Sequence, residues 1–528
     1  MKVNLHIIGR NKIALVIMLV LVFVSACGRV GATQPAPAAP TQGQSVSAEP
    51  RSERNGILRV AMQPIVQADP AFISSDSEVL VANHVYDYLV DIDPASKVIP
   101  RLAVDWQIEN DGLTYVFTLA EGVQFHDGSP LTAQDVVWTF NRLRDPELEL
   151  PTADLYSNIA DIQATGELEV TFILNQPNPF FLYDLSDNHA LVLKANTQDA
   201  ATKFNGTGPF KVTSYSPEDR IILEANKDYY IQDLPKLEGV EILFFNDENA
   251  AVDALRSGQV DLVMRMSTAL FTSLQDEPGI YTLDIPTNGF DLVRLRSDRE
   301  PGDDPRVIQA FKLATDREAI LQLVQQGYGA VGRDSPIGPM YTQYYSEETP
   351  IPERDVQAAR QLLSEAGYPQ GLDIVLHTPD TGGRPDLAVV LKEQWAEAGI
   401  NVEVSVEPES VYYGEERWLE VDLGITGWGS RPYPQFYLDV MLKCEAVWNE
   451  SHFCDPEFDE LTTTAGTSLD EAQQAEAYQK IQQILIERGP VIIPYFFAQF
   501  AAISDKFQGF ELKPFAGRTD FRLVNLQE

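Results

Sequence analysis

Leu423-Gly424-Ile425-Thr426-Gly427-Trp428-Gly429-Ser430-Arg431-Pro432-Tyr433-Pro434 is an apolar run that ends in a loop of glycines, prolines, aromatic rings and one arginine. Pro432 and Pro434 cannot donate to a sheet ladder, so a strand entering here stops near them. Gly427 and Gly429 leave the backbone beside Trp428 bare, which lets another molecule approach the main chain. Aromatic plate, bare backbone and one cation together suit the wall of a binding pocket. An ordinary turn around a structural Trp is the plainer reading, and the flanking chain decides between the two.

Upstream of this stretch, helices and strands alternate. Residues 306–326 have helical apolar spacing with a break at Thr315-Asp316, and residues 356–366 predict a helix stopped by Gly367. A strand over 372–376, a helix over 387–398 stopped by Gly399 and a strand over 401–406 follow. That order predicts an α/β lobe with parallel pairing. Downstream, 472–488 reads as a long helix, and 490–497 is an apolar run open between strand and buried turn.

Nearer the N-terminus the period changes to two. A strand over 56–62 broken by Gln63-Pro64 precedes a helix over 79–89. A hairpin joins 106–109 to 114–119 through Asn110-Asp111-Gly112. Thr132 is the N-cap of a helix carrying Val136, Val137 and Phe140. Further strands are expected over 169–174 and 240–245, with a hairpin within 212–225. The chain changes character near residue 290.

The first residues read as an address. Lys2, Arg10 and Lys12 precede an uncharged run of 14 residues, 13–26, shorter than the roughly 20 that a bilayer needs. Val24-Ser25-Ala26-Cys27 resembles a bacterial lipobox, in which the leader is cut before a cysteine that carries lipid. A plain signal peptide is the alternative. Residues 28–55, rich in Ala, Pro, Gln, Ser and Thr, hold too little apolar surface to fold and predict a tether. Removing the three basic residues of 1–26 from the formal charge of −39 leaves −42. So acidic a body is repelled by nucleic acid and by anionic lipid, and lipid on Cys27 would then hold it at the membrane. Of the remaining cysteines, Cys444 and Cys454 have a spacing that permits a disulfide and equally permits two buried thiols.

Motifs for chemistry are few. Gly327-Tyr328-Gly329-Ala330-Val331-Gly332 spells a dinucleotide fingerprint, but a helix precedes it and Arg333-Asp334-Ser335-Pro336 follows. A phosphate cradle needs a strand before and a helix after, so this is a glycine loop. His84, His126, His189, His377 and His452 have no metal-ligand spacing, and no nucleophile elbow is present. Neither enzyme, cofactor nor metal is expected.

Several stretches in order resemble the peptide-binding solute-binding proteins of ABC importers (cluster C, family 5). They are Pro100-Arg101-Leu102-Ala103 with Trp106, Asp111-Gly112-Leu113-Thr114-Tyr115, residues 122–135, Asn205-Gly206-Thr207-Gly208-Pro209-Phe210, residues 304–316, and Ala358-Ala359-Arg360-Gln361-Leu362-Leu363 running into Gly367-Tyr368. The resemblance covers the chain from Ile57 onward. It implies a two-lobed α/β fold of the periplasmic-binding-protein type II (Venus flytrap) kind, closing by a hinge over a ligand. Lobe one would comprise 56–285 with 496–528 and carry an extra subdomain near 93–200; lobe two would be 286–495. Such a receptor, lipid-anchored at the outer face of the cytoplasmic membrane or in the periplasm, would pass oligopeptides or dipeptides to permease subunits. An oligosaccharide or chelate receptor of the same fold, or a lipoprotein enzyme or sensor, are the other readings.

The ligand set expected from lobe two is Trp428, Gly429, Ser430, Arg431 and Tyr433. Lobe one would contribute Pro64, Ile65 and Val66 after the first strand, with Tyr156 and Asn188. Relatives often place an aspartate three residues after the Trp, where it captures the ligand's amino terminus. Arg431 stands there instead. It repels an ammonium group and suits a carboxylate, or else it pairs with an acid and moves the amine site elsewhere. Nickel-chelate capture in this family often uses a histidine in this neighbourhood, and the sequence has none between His377 and His452.

Overall fold

A computed structural model describes residues 54–527 except Glu149, Pro151, Asp154, Pro352, Glu415, Glu416 and Ala516. The leader, Cys27 and most of the tether lie outside the described residues. Arg54 and Asn55, expected to end the tether, already join the body. The Asn55 main-chain N–H donates to the Lys236 carbonyl (3.1 Å), and Arg54 Nε donates to that of Pro235 (3.0 Å).

One mixed sheet runs through the molecule. From one edge its strands are Ile400–Glu407, Leu372–Pro379, Leu423–Trp428, Ile280–Leu295, Tyr495–Ser504, Leu262–Met264, Ile57–Met62, Gly239–Phe244, Arg220–Ala225 and Phe210–Ser216. Leu372–Pro379 pairs in parallel with both Ile400–Glu407 and the start of Leu423–Trp428, as the helix–strand alternation predicts. At the other end Ile57–Met62 runs parallel to Gly239–Phe244 and Leu262–Met264.

Two strands bridge these halves. Ile280–Leu295 pairs with Tyr495–Ser504 from Ile280 to Pro286, shifts register between Pro286 and Phe290, and then pairs with Leu423–Trp428. Pro286, Asn288 and Gly289, residue types that sit poorly inside a regular strand, lie at this irregularity. Gly289 is required by close packing: a Cβ there would lie 3.0 Å from the Phe497 ring and 3.1 Å from the Trp428 carbonyl oxygen.

Apolar packing follows the same division. One core joins the Ile57–Met62 half of the sheet to a separate antiparallel sheet of Ala103–Glu109, Thr114–Leu119, Glu169–Leu174 and Ile159–Ala164. Ala501, Ile503, Phe507, Phe521 and Val524 pack into this core, so the C-terminal segment returns to it. A second core lies between the Leu372–Pro379 half and the helices Pro305–Ala314 and Arg384–Ala396. A third sits under the helix Glu471–Arg488, and Phe180, from the first half of the chain, inserts into it. The fold is a two-lobed α/β structure.

Charge fastens the returning segment. Arg518 Nη2 meets Asp91 Oδ1 at 2.5 Å, Arg522 Nη1 meets Asp87 Oδ1 at 3.4 Å, and Lys513 Nζ donates to the Ile92 carbonyl at 2.9 Å. His84 reinforces it: Nδ1–H donates to the Leu80 carbonyl (2.7 Å), and Nε2 accepts the Phe521 N–H (3.0 Å).

Most expected elements lie within a few residues of their predicted ends. The helix expected over 79–89 is Asp76–Val85, started by a Ser75–Glu78 capping box. The long pattern over 306–326 is two helices, Pro305–Ala314 and Arg317–Val324, because Asp316 caps the second through the Ala319 N–H. The run over 490–497 divides into the strand Val491–Ile492 and the start of Tyr495–Ser504. In the glycine loop, side chains at Gly329 and Gly332 would collide with the backbone of Phe496 and Ile493. Close approach of two backbone segments explains these glycines. Cys444 and Cys454 form a disulfide.

Candidate ligand site

The strand Leu423–Trp428 ends against the register shift of Ile280–Leu295, and the following loop is clamped through its main chain. Tyr437 Oη donates to the Gly429 carbonyl (2.7 Å) and accepts the Arg431 N–H (3.0 Å). Tyr341 Oη donates to the Arg431 carbonyl (2.7 Å), and Ser430 Oγ accepts the Asn288 N–H (3.0 Å). With both peptide faces of residue 431 held, its side chain has a fixed origin.

The two glycines differ. At Gly427 a side chain would run into the Arg384 guanidinium, itself held by Asp291 (Nε to Oδ1, 2.9 Å). The bare backbone expected to receive a ligand there is filled by the protein's own arginine. At Gly429 a Cβ would meet nothing within 4 Å.

A cavity of about 210 Å³ opens beyond Gly429. Gly429, Ser430, Arg431, Tyr433 and Phe436 form one wall; Ser74, Asp76, Asp187, Asn188 and Arg518 form the facing one. Residues 429–436 therefore face residues 74–76 and 187–188, with Arg518 of the returning segment, across it. Tyr433 closes one end, donating its hydroxyl to Asp184 Oδ1 (2.6 Å) and stacking on Phe180 with centroids 4.9 Å apart. Burial pushes the Asp184 carboxyl up to about 7, against the pull of Tyr433 and of Asn178, whose Nδ2 donates to Oδ2 at 2.7 Å. Burial also pushes Asp187 up, but the charge and hydrogen bonds of His189, with Arg431 beside it, hold its carboxyl well below the usual range.

Of the ten expected ligand residues, the structure brings Gly429, Ser430, Arg431, Tyr433 and Asn188 to this cavity. Trp428 stands behind the wall. Its Nε1 donates to Glu450 Oε1 (3.3 Å) and its ring packs edge-on to Tyr437. Glu450 is fully buried and also accepts from Thr426 Oγ1 (2.6 Å) and Arg294 Nε (3.2 Å). Since Glu450 lies in the loop closed by Cys444 and Cys454, the disulfide segment supports the wall from behind.

The other expected residues lie away from the cavity. Ile65 is buried in the first core and Val66 is 87% exposed. Pro64 lies between the first strand and these two, and none of the three lines the cavity. Glu78 shapes that loop by accepting the N–H groups of Val66, Gln67, Ser74 and Ser75 (2.7–3.0 Å). Tyr156 is a core residue, edge-on to Phe140, with its hydroxyl donated to the Asp184 carbonyl (3.3 Å).

Asp187 and Arg518 were not anticipated. One more aspartate carries no signal in so acidic a chain, and Arg518 reaches the site only because the C-terminal segment folds back. A larger hollow, about 850 Å³, is an open trough bordered by Glu300, Asp373, His377, Glu403 and Asp422. It belongs to one half of the molecule alone, so the cavity between the halves is the better candidate. Among the described residues no cluster of His, Cys, Asp and Glu is arranged to hold a metal, and no helix is long and apolar enough to cross a membrane.

Residues 97–449 match the family described as bacterial extracellular solute-binding proteins, family 5 Middle. The chain belongs to that family. Among its relatives is "Di/tripeptide-binding protein 1" of Pseudomonas aeruginosa, 28% identical over 487 residues, 84% of this chain and 90% of that one. "Heme-binding protein A" of Haemophilus influenzae is 26% identical over 510 residues, 89% of this chain and 92% of that one. Among solved structures, the dipeptide binding protein from Pseudoalteromonas sp. SM9913 in complex with Met-Leu superposes with a TM-score of 0.76 at 25% identity, covering 90% of this chain and all of that one. Membership accounts for the pairing of two α/β halves.

Proposed function

We propose that this protein is the extracytoplasmic receptor of an ABC importer, that it captures short peptides between its two lobes, and that it delivers them to permease subunits. The observation that carries this reading is the cavity between residues 74–188 with Arg518 and residues 429–436, with its clamped wall at residues 429–433. A site built from both halves rewards closure, because only the closed form completes it. Its volume of about 210 Å³ lies below the roughly 300–1,000 Å³ common for small-molecule sites. That favours a dipeptide or tripeptide over a long chain. Relatives named for dipeptides and for di- and tripeptides support the ligand class.

In this reading lobe one is 56–285 with 496–528, carrying a subdomain near 93–200, and lobe two is 286–495. The hinge lies at Pro286–Phe290 and the adjoining start of Tyr495–Ser504, where the ladder changes register. Gly429, Ser430, Arg431, Tyr433 and Asn188 contact the ligand, and Trp428 holds the wall. Residues 1–26 direct export, Cys27 carries lipid, and the following tether lets the receptor reach its permease from the outer membrane face.

Mass spectrometry of small molecules released from the purified full chain tests the ligand class. Short peptides are expected. Sugars, or a tetrapyrrole such as the one named for the Haemophilus relative, would overturn it.

A further inference from the structure

The charged groups lining the cavity are unequally satisfied. Arg518 is bound to Asp91 (2.5 Å), and Asp76 to Arg265 (2.6 Å). Asp187 Oδ1 accepts from the His189 N–H (3.0 Å) and from its Nδ1 (2.5 Å), while His189 Nε2 faces the Ile73 carbonyl at 2.9 Å. Both ring nitrogens face acceptors, so both carry protons, and the imidazolium matches the charge of Asp187 from two residues away.

Arg431 is matched more loosely, by a long ion pair to that same Asp187. Its Nη1 lies 3.9 Å from Asp187 Oδ2, beyond hydrogen-bond reach, and its guanidinium rests 4.5 Å from the centre of the Phe436 ring. Among the described residues its side chain donates no hydrogen bond. Yet its main chain is fixed on both faces, by Tyr437 and Tyr341. A planar fork of five donors is thus presented from a rigid wall, over the face of the Phe436 ring.

We propose that Arg431 binds a ligand carboxylate through two parallel hydrogen bonds and so selects short peptides that present a free carboxylate at this wall. This rests on the peptide reading above. The carboxylate is a C-terminus or an acidic side chain, which share this chemistry. Residue 431 then determines specificity: an acid here would favour an amino terminus, and arginine reverses the polarity of the subsite. Asp187, already neutralised by His189, does not compete strongly for the fork, so a ligand carboxylate can replace it at Arg431.

The test equilibrates the purified full chain with a library of dipeptides with free C-termini and, separately, with the same library amidated at the C-terminus. Retained peptides are read by native mass spectrometry after desalting. Wild type should retain the free acids at least about tenfold better than the amides. Any amides that survive should be those containing Asp or Glu, which would identify the side chain as the carboxylate source. Arg431→Ala should lose the preference and Arg431→Lys should keep part of it. Both variants should keep the wild-type far-ultraviolet circular dichroism spectrum and a cooperative unfolding transition, with a modest loss of stability, since the side chain's contacts within the fold are the Phe436 ring and the long ion pair to Asp187. Equal retention of both libraries by wild type, or an undiminished preference in Arg431→Ala, overturns the assignment and leaves the peptide reading standing. Retention of neither library overturns both.

Discussion

Gly427 and Gly429 look alike in the sequence and have opposite environments. A methyl group at Gly427 would strike the Arg384 guanidinium, which Asp291 and, through Asp291, the Tyr495 hydroxyl (2.6 Å) keep from moving aside. Gly427→Ala should therefore destabilise the protein by about 1–3 kcal/mol. Gly429→Ala adds its methyl to open space and should stay within about 0.5 kcal/mol of wild type. Chemical denaturation of the two variants checks this, and equal losses would refute it. The sequence made a glycine-lined loop legible at this position. It could not tell which glycine faces a partner, because Arg384 arrives from a helix 43 positions earlier in the chain. Arg431 was conspicuous as the lone cation of the stretch, but its freedom from hydrogen bonds depends on the clamps from Tyr341 and Tyr437, which no local pattern announces.

Regular elements were legible where apolar spacing and caps agree, as in the helices and parallel strands of residues 356–407. The strand Ile280–Leu295 was not, because Pro286 and Asn288-Gly289 interrupt its pattern at the place where it passes between the two halves. Two elements can be tested directly. His84, on the helix Asp76–Val85, accepts the Phe521 N–H with Nε2 and so needs that nitrogen unprotonated. Burial pulls its imidazole down from 6.5 to about 4. With the folded value depressed, its contribution is present above about 6.5 and is lost as pH falls toward 4, at about 1.4 kcal/mol per pH unit. His84→Gln should flatten the decline in stability between pH 6.5 and 4, and an unchanged slope would refute the role. The disulfide loop is the second element. Cys444→Ser should cost about 2–3 kcal/mol by releasing that loop, and should weaken peptide binding through Glu450 and Trp428. Full affinity in a destabilised variant would show that the loop does not support the wall.

For the whole molecule, the contact of Tyr433 and Phe180 with Asp184 is where closure meets pH. Burial lifts the Asp184 carboxyl from 3.8 to about 7, so its contribution to the folded, closed form is fullest below about 4 and is lost as pH rises through about 7. Denaturation between pH 4 and 7 should show stability falling across that window through this group in wild type, less so in Asp184→Asn. A rise shared by both proteins would contradict the sign. The most direct measurement of the account is a crystal structure grown with the dipeptide that binds best. Density should lie between the wall at residues 429–433 and Asp187-Asn188, touching both lobes, with a carboxylate against Arg431. Ligand bound in the trough beside His377, or held by one lobe alone, would contradict it.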